Sequence, residues 1–248
     1  GLRAAGLAPL VQQHSGLDLG PMFSGSKMRW LLDNTPEGRK RAEAGEVCAG
    51  TVDSWLLWNL SGGALHACDV TNASRTLLLN LHTLDWDDEM LRAFGVPAAA
   101  LPTIRPSSAV YAATVPVGLL PAGVPIACLI GDSHGALFGH GRFSANAVKA
   151  TYGTGSSLMA ATPQAVTSSH GLSSTVAWSM AREGGAATAT YALEGNIYAT
   201  GAAVRWLGET LGLKGGGDAV ERLARQTPDA GGVYLVPAFA GLGAPYWD

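Results

Sequence analysis

The sequence predicts an α/β protein of two mixed domains that meet near His140 to Ser144. Three observations carry this expectation. Val124 to Ile130 is a β-branched apolar run ending in Gly131-Asp132, the signature of a buried strand. From Val148 the pattern changes to short apolar stretches separated by Gly and Ser, as in a strand-and-turn meander. Helix-like segments stand on both sides of Gly141.

In chain order, Thr35-Pro36 reads as a helix cap with proline at the first helical position, opening a short charged helix through Glu46. Thr51 to Leu60 is apolar and Trp-rich, and Ser61-Gly62-Gly63 closes it as a turn. The acids of Leu84-Asp85-Trp86-Asp87-Asp88 precede Met90, Leu91 and Phe94, as expected where a helix start favours negative charge. Beyond the Val124 strand, Val148 to Tyr152, Ser157 to Ala161, Ser173 to Trp178 and Ala187 to Leu193 form the meander. Asn196 to Leu211 is expected as a helix with Ile197, Gly201, Val204, Gly208 and Leu211 on one stripe. Asp218 should cap a second helix whose inner face carries Val220, Leu223 and Ala224, and Val233 to Pro237 returns as a short strand. The seven tryptophans are expected in the core.

Composition narrows the function classes. The 248 residues are 47% hydrophobic and only 14% charged, which excludes intrinsic disorder. Basic residues are scattered, Arg39-Lys40-Arg41 being the one dense cluster, so an electrostatic nucleic-acid partner is not expected. Cys48, Cys68 and Cys128 form no Cys-x-x-Cys pair, which argues against a disulfide scaffold or zinc site and for a reducing cytoplasm. The longest apolar stretch, Val115 to Ile130, is broken by Pro116, Pro121 and Pro125, so no membrane span is expected, and no secretory signal is visible. A chain that begins at Gly1 and stops at Asp248 inside an aromatic, Pro-containing turn is expected to be a fragment.

Gly131-Asp132-Ser133-His134 sits just past a predicted strand, where open α/β sheets present functional groups. Asp132 there can take a proton from a substrate hydroxyl, or it can merely cap the helix that follows. Gly-Asp-Ser also opens one class of serine hydrolases, but the late Asp-x-x-His of that class is missing. Tyr152-Gly153-Thr154-Gly155-Ser156-Ser157 is a Gly-Thr-Gly turn between two strand-like segments. Its glycines let backbone amides approach phosphate oxygens, and an ordinary hairpin is the competing reading. It is neither a Walker A loop nor a dinucleotide fingerprint. Gly201 within a good helix invites close approach by a ligand or a neighbouring helix, and Arg205 stands one turn further on. His134 and His140 are too far apart in register for a helical metal site.

Together these segments resemble the FGGY family of carbohydrate kinases, and the glycerol kinases within it most closely. The resemblance runs through Met22-Phe23-Ser24-Gly25-Ser26-Lys27-Met28-Arg29-Trp30, Thr51-Val52-Asp53-Ser54-Trp55, Thr71-Asn72-Ala73-Ser74-Arg75-Thr76 and His82-Thr83-Leu84-Asp85-Trp86. It continues through Tyr191-Ala192-Leu193-Glu194-Gly195 and Val236-Pro237-Ala238-Phe239 to the chain's end. The resemblance implies an actin-like, ribonuclease-H-like two-domain ATPase fold, here partial. Residues 1–140 would be the later portion of the substrate domain and 141–248 the first portion of the nucleotide domain. It implies Asp132 as general base, Gly153, Thr154 and Gly155 as the nucleotide-phosphate turn, and Gly201 and Arg205 as nucleotide contacts, although these kinases usually carry Gln where Arg205 stands.

The substrate-side positions implied are Asp132, Ser133, Met22 and Ser157, and three of them depart from the family. Ser133 replaces a Gln, Met22 a Tyr and Ser157 a Phe, which suggests a roomier pocket. The stretch before Val124 lacks the Gly-Gly-x-Arg-like regulator site of some members. The family's Asp-x-Gly-Thr loop, earlier substrate contacts and later adenine-binding region are absent as well. The implied activity is ATP-dependent phosphorylation of a primary hydroxyl of glycerol or a related polyol, with Mg²⁺ accompanying ATP and a small polyol or sugar as partner. The alternatives are a kinase for a pentulose or larger polyol, and a non-catalytic actin-like binding module. Homo-oligomerisation stays open.

Overall fold

The computed structural model describes residues 2–141, 147–182, 184–238 and 240–248. The chain opens with α1 (Ala8–Ser15), α2 (Ser24–Asn34), α3 (Gly38–Glu43) and α4 (Val52–Leu60). Next come β1 (Ala67–Asp69), α5 (Val70–Ala73), β2 (Leu79–Asn80), β3 (Asp85–Trp86) and α6 (Asp88–Phe94). Then follow β4 (Thr103–Arg105), β5 (Ser108–Ala113), β6 (Pro125–Cys128) and α7 (Asp132–Gly139). The remainder is β7 (Val148–Tyr152), β8 (Ser156–Thr162), β9 (Ser173–Arg182), β10 (Gly185–Ile197), α8 (Gly201–Thr210) and α9 (Gly216–Gln226).

The main sheet has the strand order β6-β5-β9-β10-β8-β7. It is antiparallel except where β5 meets β9 at a single parallel pair, Ser108 with Met180. One apolar core joins α1, α2 and α6 through Val11, Phe23, Met28, Met90 and Phe94. Another lays α7 on the sheet, with Leu137 against Met159, Ala177, Trp178 and Ala192. Burying Leu137 and Met159 contributes about 1.5–3 kcal/mol each, enough to fix where α7 begins.

Several expectations hold in kind. Asp87 caps α6, its side chain accepting from the amides of Glu89 and Met90. The Gly153–Gly155 segment does join two antiparallel strands, β7 and β8. Others need correction. The strand expected to be buried at Val124–Ile130 is β6, an edge strand bonded on one side and largely exposed. The meander is interrupted, because β10 inserts between β8 and β9. Thr35 ends α2, its hydroxyl donating to Leu31 O, and α3 starts only after Glu37 in a left-handed conformation.

The helix expected from Asn196 begins at Gly201, because the β10 ladder with β8 runs on through Ile197. Asp218 lies inside the first turn of α9 behind a Gly215 cap, and Ala219 is the buried residue of that helix while Leu223 and Ala224 are exposed. Val233–Pro237 forms no strand, since it meets no partner strand among the described residues. The tryptophans are not uniformly core. Trp178 is buried, whereas Trp30, Trp55 and Trp58 on α2 and α4 are exposed because no described element covers that side. Ser144, at the expected domain junction, and Phe239 lie outside the described residues.

Candidate active site

Asp132 is the first residue of α7, and Gly131 occupies the cap position with no side-chain cap. The Gly131 amide donates to Thr71 Oγ1 at 2.9 Å, and the Thr71 hydroxyl donates to the buried Asp69 carboxylate at 2.8 Å. This pair pins the entry to α7 onto the start of α5. Asp132 itself is exposed, and its Oδ1 accepts from the adjacent Ser133 amide at 2.7 Å. Asp132 thus stands one residue past the cap position and satisfies one first-turn amide of α7. Its second oxygen meets no protein donor among the described residues, which suits a proton acceptor for an incoming hydroxyl.

Beneath α7 the sheet presents an unusually polar face. Cross-strand partners share a face, so Lys149, Met159 and Glu194 form one row, and Thr151, Ser157 and Asn196 the next. Lys149 is 2% exposed, and its Nζ donates to Thr151 Oγ1 at 2.7 Å. Burial pulls the Lys149 ammonium below its usual range against the opposing pull of the Glu194 and Asp132 carboxylates. Ser157 Oγ donates to Glu194 Oε1 at 3.1 Å, and Arg75 Nη1 lies 2.7 Å from Glu194 Oε2.

Burial works to raise Glu194, but the Arg75 guanidinium and the hydrogen bond from Ser157 hold it below the ordinary range. His134, buried on the inner side of α7, is pushed down to about 4 by burial and by Arg75, so it is neutral at pH 7. Its Nε2 lies 3.3 Å from Thr175 Oγ1, consistent with a structural rather than metal-binding role.

The Gly153–Gly155 turn is clamped to the start of α8. Gly153 O accepts from the Gly201 amide at 3.0 Å, and Thr154 O accepts from the amides of Thr200 and Ala202 at 3.0 and 3.1 Å. A Cβ on Gly201 would stand 2.5 Å from Gly153 O, and one on Gly155 would stand 2.5 Å from Ile197 O. These glycines are required by close backbone approach. The Thr154 side chain at the apex is exposed and open to a ligand, so the residues present fit a phosphate group. Gly208 instead serves helix packing, its Cβ position lying 3.1 Å from Gly216 on α9. Arg205 is exposed on α8 and makes no contact with the turn among the described residues.

Met22 lines a cavity of about 400 Å³ with Ser24, Thr51, Asn72 and Arg75. Arg75, which lines that cavity, pairs with Glu194, and Glu194 accepts from Ser157 on the sheet face under α7. A larger cavity of about 540 Å³ between α2 and α4, lined by Trp55, Trp58 and His66, contains none of the expected site residues. Lys149, Arg75 and Glu194 escaped the sequence reading. Arg75 and Glu194 sit inside segments that carried the resemblance, and a lone charge within an apolar strand was the available signal for Lys149. Among the described residues no three His, Cys, Asp or Glu side chains cluster as a metal cage. A Mg²⁺ ion coordinated chiefly by nucleotide phosphates needs no such cage.

Comparison with known proteins gives concordant matches. Residues 1–139 match the N-terminal domain, and residues 148–248 the C-terminal domain, of the FGGY family of carbohydrate kinases. The glycerol kinases of Alkalilimnicola ehrlichii and Thermus brockianus are 53% and 54% identical to this chain over its whole length, covering 49% of each relative. A crystal structure of Plasmodium falciparum glycerol kinase with ADP superposes with a TM-score of 0.84 at 32% identity, over 97% of this chain and 47% of that one. The chain thus spans about half the length of the curated relatives it matches.

Proposed function

The chain belongs to the FGGY family of carbohydrate kinases and has its actin-like fold, and on that premise we propose that the full-length protein transfers the γ-phosphoryl group of ATP to a primary hydroxyl of glycerol or a related polyol. The observation that carries this reading is an exposed carboxylate, Asp132, anchored by α7 to the sheet whose adjoining hairpin turn is clamped to α8 through Gly201.

In this mechanism Asp132 takes the hydroxyl proton as the substrate oxygen attacks the γ-phosphorus, and the bond from that phosphorus to the β,γ-bridging oxygen breaks to release ADP. Gly153, Thr154 and Gly155 hold the nucleotide phosphates, with Gly201 keeping the turn in place. Arg205 on α8 is the further nucleotide contact in this reading. The Gly153–Gly155 turn would hold the phosphates of the nucleotide that carries Mg²⁺, and the ion would supply charge neutralisation during transfer. Met22, Ser133 and Ser157 bound the substrate side. Residues 1–140 make the substrate part and 141–248 the nucleotide part. Three unpaired cysteines, two of them exposed, support a cytoplasmic location, and among the described residues no helix is long and apolar enough to cross a membrane.

A pentulose or longer polyol is the second reading, favoured by the small residues at Ser133 and Ser157. The test is a panel of glycerol, erythritol, ribitol and xylulose assayed with the full-length protein and ATP. ATP-dependent phosphorylation of glycerol supports the first reading, and preference for xylulose or ribitol the second. No acceptor-dependent ATP consumption with any of them would overturn both.

A further inference from the structure

Arg75 brings a guanidinium between Met22 and Ser157, two substrate-side positions far apart in the chain. Its backbone is fixed just past α5, where its amide donates to Asn72 O at 3.0 Å. The guanidinium carbon lies 5.1 Å from the centre of the ring of Phe23, the buried residue that follows Met22. Nη1 stands 2.7 Å from Oε2 of the buried Glu194, whose Oε1 accepts from Ser157 at 3.1 Å. Arg75 also lines the cavity of about 400 Å³ that Met22 bounds.

The charges are matched, but the hydrogen-bonding capacity is not used. Nη1 and Oε2 are enclosed and close, yet neither makes a hydrogen bond, so their contact is a charge pair and not the parallel fork that arginine forms with a carboxylate at its best. An arginine has five N–H donors, and among the described residues none of those of Arg75 meets a hydrogen-bond acceptor. Donors held between an aromatic ring and a carboxylate, beside open space, suit acceptors that are not part of the protein. Glu194 already balances the charge, so the acceptor that fits is a neutral hydroxyl, whereas a carboxylate or phosphate calls for an unbalanced cation.

We propose that Arg75 is a specificity-determining residue for the acceptor substrate: steadied by Glu194 and Phe23, its guanidinium donates a hydrogen bond to a non-reacting hydroxyl of the polyol in the Met22 cavity. This rests on the reading of the full-length protein as a polyol kinase. Asp132 remains the group that takes the proton of the reacting hydroxyl, and Arg75 keeps its own protons throughout.

The test uses the full-length protein and whichever acceptor of the polyol panel the wild type prefers. The KM values for that acceptor and for ATP are measured for Arg75→Lys and Arg75→Met, with thermal unfolding alongside. Lysine keeps a charge for Glu194 but loses the fork, so both variants should raise the acceptor KM by about tenfold or more, with the ATP KM within about twofold of wild type. A wild-type acceptor KM in Arg75→Lys would show that only the ion pair matters and overturns the inference, as does a rise of both KM values alike. Either result leaves the polyol-kinase reading intact, whereas a wild type that consumes ATP with no member of the panel overturns that reading instead. Should neither variant fold, Glu194→Gln keeps the shape and leaves Arg75 uncompensated. Inhibition by glycerate, a carboxylate analogue of glycerol, should then strengthen by about fivefold or more over wild type, and an unchanged inhibition constant overturns the inference.

Discussion

Replacing Gly201 with alanine sets two physical effects against each other. Helix propensity alone favours alanine over glycine by up to about 1 kcal/mol. The structure opposes it: the new Cβ would stand 2.5 Å from Gly153 O and 3.3 Å from Gly153 C, both backbone atoms that no rotamer change can move aside. Relieving that overlap must separate α8 from the Gly153–Gly155 turn. Overpacking of this kind costs about 1–3 kcal/mol, and stretching the 3.0 Å bond from the Gly201 amide to Gly153 O forfeits about 0.5–1.5 kcal/mol more. The sterics win by about 0.5–3.5 kcal/mol. Because the atoms displaced belong to the proposed nucleotide turn, ATP affinity should fall by about 2-fold at the least and about 300-fold at the most, while glycerol affinity stays within about twofold. Calorimetric titration of the full-length Gly201→Ala variant with each ligand, alongside thermal unfolding, reads both consequences. Unchanged ATP affinity with raised thermal stability would show that propensity governs and that the turn does not depend on this glycine.

The other expectations concern the turn, the buried histidine and the pocket. Thr154→Val removes an exposed hydroxyl at nearly constant volume and should weaken ATP binding by about 0.5–3 kcal/mol with polyol binding unaltered; equal ATP affinity by calorimetry would make the turn purely structural. His134, held near 4 by burial against an ordinary 6.5, stays neutral in the folded chain at a pH where the unfolded chain binds a proton. Stability from this group is therefore full above about pH 6.5 and declines toward pH 4, by roughly 3 kcal/mol. Denaturant titrations across that window should slope less for His134→Asn than for wild type, and identical slopes would refute the assignment. Ser133→Gln combined with Ser157→Phe should raise the kcat/KM of glycerol relative to ribitol and xylulose, since it restores a donor and fills the space beside Glu194. If wild type already prefers glycerol strongly and the double variant does not improve on it, the pocket is not enlarged.

Local chemistry made much of this legible in the sequence. The Gly-Thr-Gly turn was visible because two β-prone stretches flank it, and the α6 start was visible because Asp87 stands where a cap is needed. What failed depended on partners distant in the chain. Val124–Ile130 has the pattern of a buried strand, yet whether a strand is central or at the edge depends on which neighbours pair with it, and β6 has only β5. Asn196 and Ile197 fit a helical stripe but pair with Ser157 and Ser156 instead, because the β8 ladder outweighs helix propensity there. Gly201 looked like a helix-interior defect until its contact with Gly153 placed it at the first turn.

The site shows the same division. Asp132 and Thr154 stand in short recognisable motifs, which is why the sequence alone proposes them. The Arg75–Glu194–Ser157 chain joins residues more than a hundred positions apart, and the enclosure of Lys149 arises only when α7 closes over the sheet. The tryptophans of α2 and α4 were assigned to the core by residue type, although no described element covers their side.

The most direct test of the central claim is the turnover of Asp132→Asn in the full-length protein with saturating ATP and glycerol. The substitution keeps the volume and leaves an oxygen to accept from the Ser133 amide at its present 2.7 Å, so the fold and the start of α7 should persist by circular dichroism and thermal unfolding. If Asp132 receives the substrate proton, kcat drops by about 10²-fold or more. A folded variant that turns over at close to the wild-type rate would contradict that role and the mechanism built on it.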